Sequence, residues 1–295
     1  MRSGRRALLA GSLGAVGVGA GLAGGAMAEA HAFLVRRYRI PVLARGARPI
    51  RLLHISDLHL TVGQHDKRNF LGRLASLQPD LVVGTGDYLS DAGALEDLLT
   101  ALGPLLDVPG GFVFGSNDFA APRRVNPAAY LVGSSKPGKP TSPSLPWRRM
   151  RAALSQRGWS ALDNRSTRIR LNGTTIDLRG TGDAHHHLDH YAAVGGPVAS
   201  DADLTIGVTH APYRRVLDAM TGDGVPLILA GHTHGGQVCL PVNRAIVTNC
   251  DLPRRYASGL HQWHAAGHTS WLHVSAGLGT SPYAPYRLFC RPEVS

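Results

Sequence analysis

The sequence predicts an α/β fold built on parallel strands. Three observations carry that reading. Short apolar runs alternate with helical stripes between residues 52 and 114. The connections are long enough to hold a helix, which parallel pairing requires. The apolar runs also end at residues able to bind a cation. They lead into Asp57-Leu58-His59, Gly86-Asp87, Thr209-His210-Ala211 and Gly231-His232-Thr233-His234. Residues far apart in sequence converge when all sit at one edge of a parallel sheet.

The chain opens with Arg2, Arg5 and Arg6 ahead of a charge-free stretch, Ala7 to Ala28. Arg5-Arg6-Ala7-Leu8-Leu9 has the form of a twin-arginine signal, and Ala26-Met27-Ala28 that of a small-x-small cleavage site. The stretch also reaches the ~20 residues that span a bilayer. Residues 1–28 are therefore expected to be a signal peptide or a membrane anchor. The basic end stays cytoplasmic, which places the rest outside or at the outer face of the cytoplasmic membrane. A single catalytic domain is expected over residues 45–295.

Leu52 to Ile55 is the first strand of that domain. Asn69 to Leu77 follows as a helix with Phe70, Leu71, Leu74 and Leu77 at helical spacing and Pro79 past its end. Leu81 to Val83 is the next strand, ending at Gly84-Thr85-Gly86-Asp87. Asp91 caps a helix striped by Leu95, Leu98, Leu99 and Leu102. Gly110-Gly111 leads into a strand at Phe112 to Phe114, which ends at Gly115-Ser116-Asn117-Asp118. Residues 121–147 carry Pro122, Pro127, Pro137, Pro140, Pro143 and Pro146. So long a connection is a functional lid or a flexible, disordered loop. Trp147, Met150 and Leu154 restore a helical stripe, closed by Gly158. Asn172-Gly173 joins Thr167–Leu171 to Thr175–Leu178 as a hairpin. Leu204–Val208, Leu227–Ala230 and Trp271–Val274 are strands. Pro212 is placed in the first turn of a helix.

A chain of 295 residues with 43% hydrophobic and 17% charged residues supports one large globular domain and excludes a disordered one. The formal charge of +11 suits an anionic partner. Cys239, Cys250 and Cys290 are an odd set and cannot all pair. A Cys239–Cys250 disulfide and three buried thiols are both open.

Asp, His and Asn ligands without thiolate favour Mn, Fe or Zn over a structural cysteine site. Two such ions ~3.5–4 Å apart lower the pKa of a bound water from 15.7 towards ~7 and clamp the oxygens of an in-line displacement at phosphorus. One carboxylate has to bridge them to offset their repulsion. Asp87, alone at its strand end, is the natural bridge.

Taken in order, Asp57-x-His59, Gly86-Asp87, the turn at 115–118, His210 and Gly231-His232-x-His234 resemble the motifs of the calcineurin-like metallophosphoesterases. Gly235-Gly236-Gln237, Gly277-Leu278-Gly279-Thr280-Ser281 and Arg291-Pro292-Glu293 are similar to its small, exported or membrane-associated bacterial branch. The resemblance spans residues 51–293. It implies a four-layered α/β/β/α sandwich. It implies one ion on Asp57, His59, Asp87 and His234, and a second on Asp87, the turn residue, His210 and His232. The activity implied is phosphoester or pyrophosphate hydrolysis by a hydroxide held between two Mn, Fe or Zn ions.

The turn departs from the family pattern, which is Gly-Asn-His followed by Asp or Glu. Strict alignment puts Ser116 at the ligand and Asn117 at the acid. Asn117 has a carbonyl oxygen suited to the ligand role, and asparagine is no general acid. His185, His186 and His187, after Gly180-Thr181-Gly182-Asp183, are the candidates to supply a proton. His54 reads as a packed core histidine, and His261, His264, His268 and His273 as surface or sheet residues. The expected partner is a phosphorylated small molecule or lipid headgroup, with an anionic membrane surface nearby. Without an aromatic-basic groove, no specific nucleic acid is expected. The alternative is a catalytically degenerate metal-binding or membrane-tethered interaction protein, which only the altered turn favours.

Overall fold

The computed structural model describes residues 21–122, 143–241 and 244–295. The described chain begins with helix α1 (residues 21–29) and strand β1 (Leu34–Val35). β1 pairs in parallel with the last strand, β14 (Glu293–Val294).

The first sheet is all parallel, in the order β2 (Leu52–Ile55), β3 (Leu81–Gly84), β4 (Gly110–Phe112) and β5 (Trp159–Ala161). Its crossovers carry α2 (His65–Arg73), α3 (Leu95–Leu102), the single turn α4 (Ser116–Phe119) and α5 (Trp147–Gln156). The second sheet contains β6 (Ser166–Leu171), β7 (Thr174–Gly180), β8 (Leu204–Val208), β9 (Leu227–Ala230), β12 (Gly259–Ala265) and β13 (His268–Val274). They lie in the order β12-β13-β9-β8-β7-β6. β7, β8, β9 and β13 are parallel, while β6 and β12 are antiparallel edges. α6 (Arg214–Gly222) is the crossover from β8 to β9. β10 (Cys239–Leu240) and β11 (Arg244–Ala245) form a separate small pair.

Alternation along the strands sorts the side chains into layers, because successive residues of a strand point to opposite faces. Leu81 and Val83 of β3 enter the core between the sheets, where Leu227 and Leu229 of β9 also lie. Val82 faces the other way, onto leucines of α2 and α3 and Met150 and Leu154 of α5. Ile228 and Ala230 face α6, against Val216, Leu217 and Met220. The result is helices, sheet, sheet, helix: the four-layered α/β/β/α sandwich.

Several elements differ from expectation. α2 starts at His65, and residues 74–77 tighten into a 3₁₀ turn. The apolar stripe marked the packed part of the segment and not its polar first turn. β4 begins at Gly110, where a Cβ would stand 2.7 Å from the Trp159 indole nitrogen. Both glycines are strand residues because Gly110 makes room for the Trp159 ring on one face and Gly111 for Leu162 and Leu178 on the other. β5 and β12 escaped the sequence reading, being short or mostly polar. Pro212 precedes α6, with Tyr213 as its N-cap, and does not occupy the first turn.

The packed body reaches upstream of residue 45. Ile40, Val42 and Leu43 lie against the inter-sheet core, and the Glu29 carboxylate accepts hydrogen bonds from the Phe289 and Cys290 backbone nitrogens. Residues 1–20 of the expected export segment lie outside the described residues. Among the described residues no helix is long and apolar enough to cross a membrane. Most of the proline-rich loop, residues 123–142, also lies outside them. Its two ends are joined by Ala121 N to Pro143 O and Leu145 N to Phe119 O. All three cysteines are free thiols. Cys239 lies beside Cys290, not Cys250, and donates to the Gly235 carbonyl.

Candidate metal centre

The candidate ligands follow the carboxyl ends of β2, β3, β4, β8 and β9 and meet at one edge of the sandwich. Asp57, His59, Asp87, His210 and His232 are buried. Backbone bonds from Asp57 N to Gly86 O and from His59 N to Asp87 O, both 2.9 Å, hold the first two loops together. Asp57, His59, Asp87, His232 and His234 all have φ between +44° and +69°. L-residues pay for that left-handed conformation, and it persists only where surroundings enforce it, as at functional sites.

Two pairs of imidazoles face each other. His59 Nε2 lies 3.2 Å from His234 Nε2, and His232 Nδ1 lies 3.3 Å from His210 Nε2. The far nitrogens set the tautomers. His234 Nδ1 donates to Gly279 O at 3.1 Å, His210 Nδ1 to Thr85 O at 2.7 Å, and His232 Nε2 to Asn249 O at 3.2 Å. In the neutral rings the inward nitrogens are thus bare lone pairs. Lone pairs turned on one another ask for a cation between them. Two donors bound at about 2.1 Å to one ion stand roughly 3–3.5 Å apart, which is the spacing here. Asp87 Oδ2 lies 3.4 Å from His59 Nε2 and 3.5 Å from His210 Nε2, and so sits between the pairs. Asp57 Oδ1 is 3.7 Å from His234 Nε2. The donor set fits divalent or trivalent transition metals.

A buried hydrogen-bond chain runs back from Asp57. Its Oδ2 accepts from Ser56 Oγ at 2.5 Å, Ser56 accepts from Thr85 Oγ1 at 2.6 Å, and Thr85 accepts from His54 Nε2 at 2.8 Å. His54, expected as a core histidine, is buried and also anchors this chain. Glycine is required where the backbone crosses the site: a Cβ on Gly115 would stand 2.2 Å from Asp87 Oδ1.

Burial pushes the His59 imidazole down to about 4 and His232 to about 3, and drives His234 well below its ordinary range. Those rings stay neutral, as ligands must. His210 differs. Burial opposes its charge, but Asp87, Asp57 and Asp183 prevail and raise it to about 9. A free site therefore holds a proton at His210 that a metal ion must expel. Metal affinity is expected to rise about tenfold per pH unit from pH 7 to 9 and to level off above. Calorimetry in buffers of different ionisation enthalpy reads the released proton. An affinity flat across that window, with no release, contradicts this reading.

Asn117 stands beside the centre. Its backbone and side-chain nitrogens donate to Asp87 Oδ1 and Oδ2 at 2.8 and 2.7 Å. Ser116 makes no hydrogen bond to the cluster. The His185 ring lies 4.8 Å from that of His232, tilted by 43°, with its Nδ1 2.9 Å from the Tyr213 hydroxyl. His186 Nδ1 pairs with Asp183 Oδ2 at 2.8 Å, 5.1 Å from the His185 ring. The Asp183 hydrogen bond raises the His186 imidazole, while burial lowers His185. His187 is exposed.

Sequence reading missed the residues that hold the ligands. Arg287 is fully buried and donates to the carbonyls of His234, Ala276, Gly277, Gly279 and Cys290. The Asp118 carboxylate takes the backbone N–H groups of Asp87, Tyr88 and Gly115. Ser90 Oγ is 3.0 Å from His59 Nδ1, and Lys67 Nζ donates to Leu58 O at 2.6 Å. Only Asp118 left a trace in the sequence, as the last residue of the turn motif.

A sequence model described as calcineurin-like phosphoesterase matches residues 50–236. The chain is 26% identical over 274 residues to a protein named phosphodiesterase YaeI from Escherichia coli, covering 89% of this chain and 87% of that one. It is 25% identical over 306 residues to the uncharacterized metallophosphoesterase YkuE of Bacillus subtilis, covering 99% and 96%. Among solved structures, TT1561 of Thermus thermophilus aligns over 78% of this chain and 91% of that one, at 15% identity and a TM-score of 0.42.

Proposed function

The chain belongs to the calcineurin-like phosphoesterases, and we propose that it is a two-metal phosphodiesterase acting outside the cytoplasm. Phosphoester hydrolysis and an Asp/His cluster able to bind metal come with the family. The finer reading rests chiefly on one observation: two facing pairs of imidazole nitrogens with the Asp87 carboxylate between them. In it Asp57, His59, Asp87 and His234 hold one ion, and Asp87, Asn117, His210 and His232 the other. Asn117 offers its carbonyl oxygen once the amide turns over. Bound ions of Mn, Fe or Zn would supply an activated water and charge stabilisation at phosphorus. Arg287 keeps positive charge beside His59, which helps hold that ring neutral. Should the leaving group draw a proton, His186, whose imidazole the Asp183 hydrogen bond raises, is the group placed to lend it past His185.

The substrate proposed is a phosphodiester or a pyrophosphate-linked lipid headgroup. The absence of a histidine at position 117 favours a leaving group that needs little protonation. The relative named a phosphodiesterase and the net charge of +11 agree with it. The test is elemental analysis of the saturated chain beside hydrolysis of an activated aryl phosphodiester. Two ions per chain and chelator-sensitive turnover are expected. Less than one ion per chain, with no chelator-sensitive turnover, overturns the proposal. Export rests on Arg5-Arg6 and the apolar stretch behind them. A reporter joined after Ala30 is expected outside the cytoplasm, and retained inside when both arginines become lysine. A native segment that leaves the reporter inside refutes export.

A further inference from the structure

A cavity of about 1230 Å³ lies between the two sheets. Leu52, Leu81, Leu204 and Leu227, which open β2, β3, β8 and β9, line it. The candidate metal ligands follow the opposite ends of these same strands. The cavity therefore opens at the amino-terminal edge of the sandwich, and its inner wall reaches His54, which the Thr85 and Ser56 hydroxyls join to Asp57.

Three features of the cavity belong together. Its walls are apolar, with Ile206 and Leu229 adding to the strand-opening leucines. Its mouth is basic: Arg37, Arg39 and Arg48 are exposed on the lining and have no ion-pair partner among the described residues. The other two arginines there are engaged, Arg36 by Glu293 and Arg51 by the Leu77 carbonyl. The one acidic side chain on the lining among the described residues, Asp80, accepts the Arg51 backbone N–H. Finally, two buried polar atoms on lining residues, His273 Nε2 and Ser295 Oγ, have no hydrogen-bond partner among the described residues. Such atoms are costly unless something satisfies them.

The chain of hydrogen bonds from Asp57 sets the tautomer of His273. His54 Nε2 carries a hydrogen for Thr85, so its Nδ1 is bare and accepts from His273 Nδ1 at 2.8 Å. His273 Nε2 is then itself bare. It is an unpaired acceptor sealed within the wall, beside the Tyr38 ring.

We propose that this cavity binds one anionic glycerophospholipid. Its acyl chain lies among Leu204, Ile206 and Leu229, and its phosphate meets Arg37, Arg39 and Arg48. Each methylene removed from water between the sheets adds to binding. Guanidinium groups suit phosphate oxygens in charge and geometry. The basic rim begins within ten residues of the apolar N-terminal stretch, which brings it to an anionic lipid surface. The proposal goes beyond the catalytic reading and stands without it, since its readout is binding and not turnover.

The test uses the full chain in a nonionic detergent with phosphatidylglycerol pyrene-labelled on one acyl chain. Phosphatidylcholine with the same label is the comparison, and glycerol 3-phosphate the competitor. Saturable binding of one labelled phosphatidylglycerol per chain is expected. Arginines near an anionic lipid are worth roughly fivefold each, so the Arg37→Ala, Arg39→Ala, Arg48→Ala triple variant should bind on the order of a hundredfold more weakly. Leu204→Trp should remove saturable binding while aryl phosphodiester turnover stays unchanged. Leu52→Trp, at the half-buried mouth, replaces it if that variant does not fold. Equal binding of the two lipids with no effect of the triple variant overturns the proposal. Lipid binding that persists in the tryptophan variants reduces the contact to the surface and also overturns it. So does glycerol 3-phosphate competing as well as the intact lipid.

Discussion

Asp87→Asn is expected to empty both metal positions and to lower turnover by roughly 10³-fold or more. The reason is geometric. Asp87 Oδ2 lies between the two imidazole pairs, 3.4 Å from His59 Nε2 and 3.5 Å from His210 Nε2. One negative charge therefore serves two cation positions. Asparagine keeps the shape and removes that charge from both. It also turns a donor onto the Asn117 amide, whose nitrogen now donates to Asp87. His234→Ala, by contrast, removes one lone pair from one pair of rings and leaves His210 and His232 as they stand. It should weaken one position and spare the other. Ser90→Ala is milder still, since Ser90 only orients His59. Loss of such an outer partner costs about 10–100-fold in metal affinity. Elemental analysis of the three variants after dialysis, alongside turnover, separates these cases. Equal metal loss in Asp87→Asn and His234→Ala contradicts the bridge.

The parts of this centre legible in the sequence are those that lie next to a strand end. Val82 and Val83 are buried on opposite faces of a parallel sheet, so both are apolar, and the run they form announces where Gly86-Asp87 must begin. The same holds for Leu227–Ala230 and His232. Residues that act across the fold leave no such mark. Arg287 grips carbonyls spread from residue 234 to residue 290, and nothing local distinguishes it from a surface arginine. His54 read as core because its neighbours are apolar; its bond to Thr85 depends on β2 and β3 lying in register. β12 was lost for the opposite reason. At an exposed sheet edge, Gly259 to Ala265 has little apolar alternation to show. The cavity rim is of the same kind. Arg37, Arg39 and Arg48 look like a linker until Ile40, Val42 and Leu43 are seen packed against the inter-sheet core.

Activated aryl phosphodiesters are expected to be cleaved far faster than alkyl phosphomonoesters, by about 10²–10⁴-fold beyond what substrate binding explains. That range is what general acid help is worth, and position 117 cannot give it. A departing alkoxide needs a proton, whereas an acidic phenol leaves without one. The Asn117 side chain is instead committed to Asp87. Asn117→Ala should therefore lower metal content as well as rate, while Ser116→Ala should change neither. If Ser116→Ala loses both and Asn117→Ala keeps them, the turn is read one residue out. A rate indifferent to the leaving group means a proton is being supplied, and His186 is then the first residue to change. Its imidazole is raised by the Asp183 hydrogen bond, so it holds a proton below that raised pKa and loses it above. Turnover of alkyl substrates through His186 would fall as pH rises across that point. His186→Gln would abolish the fall and leave aryl substrates untouched, since their departure never drew on it.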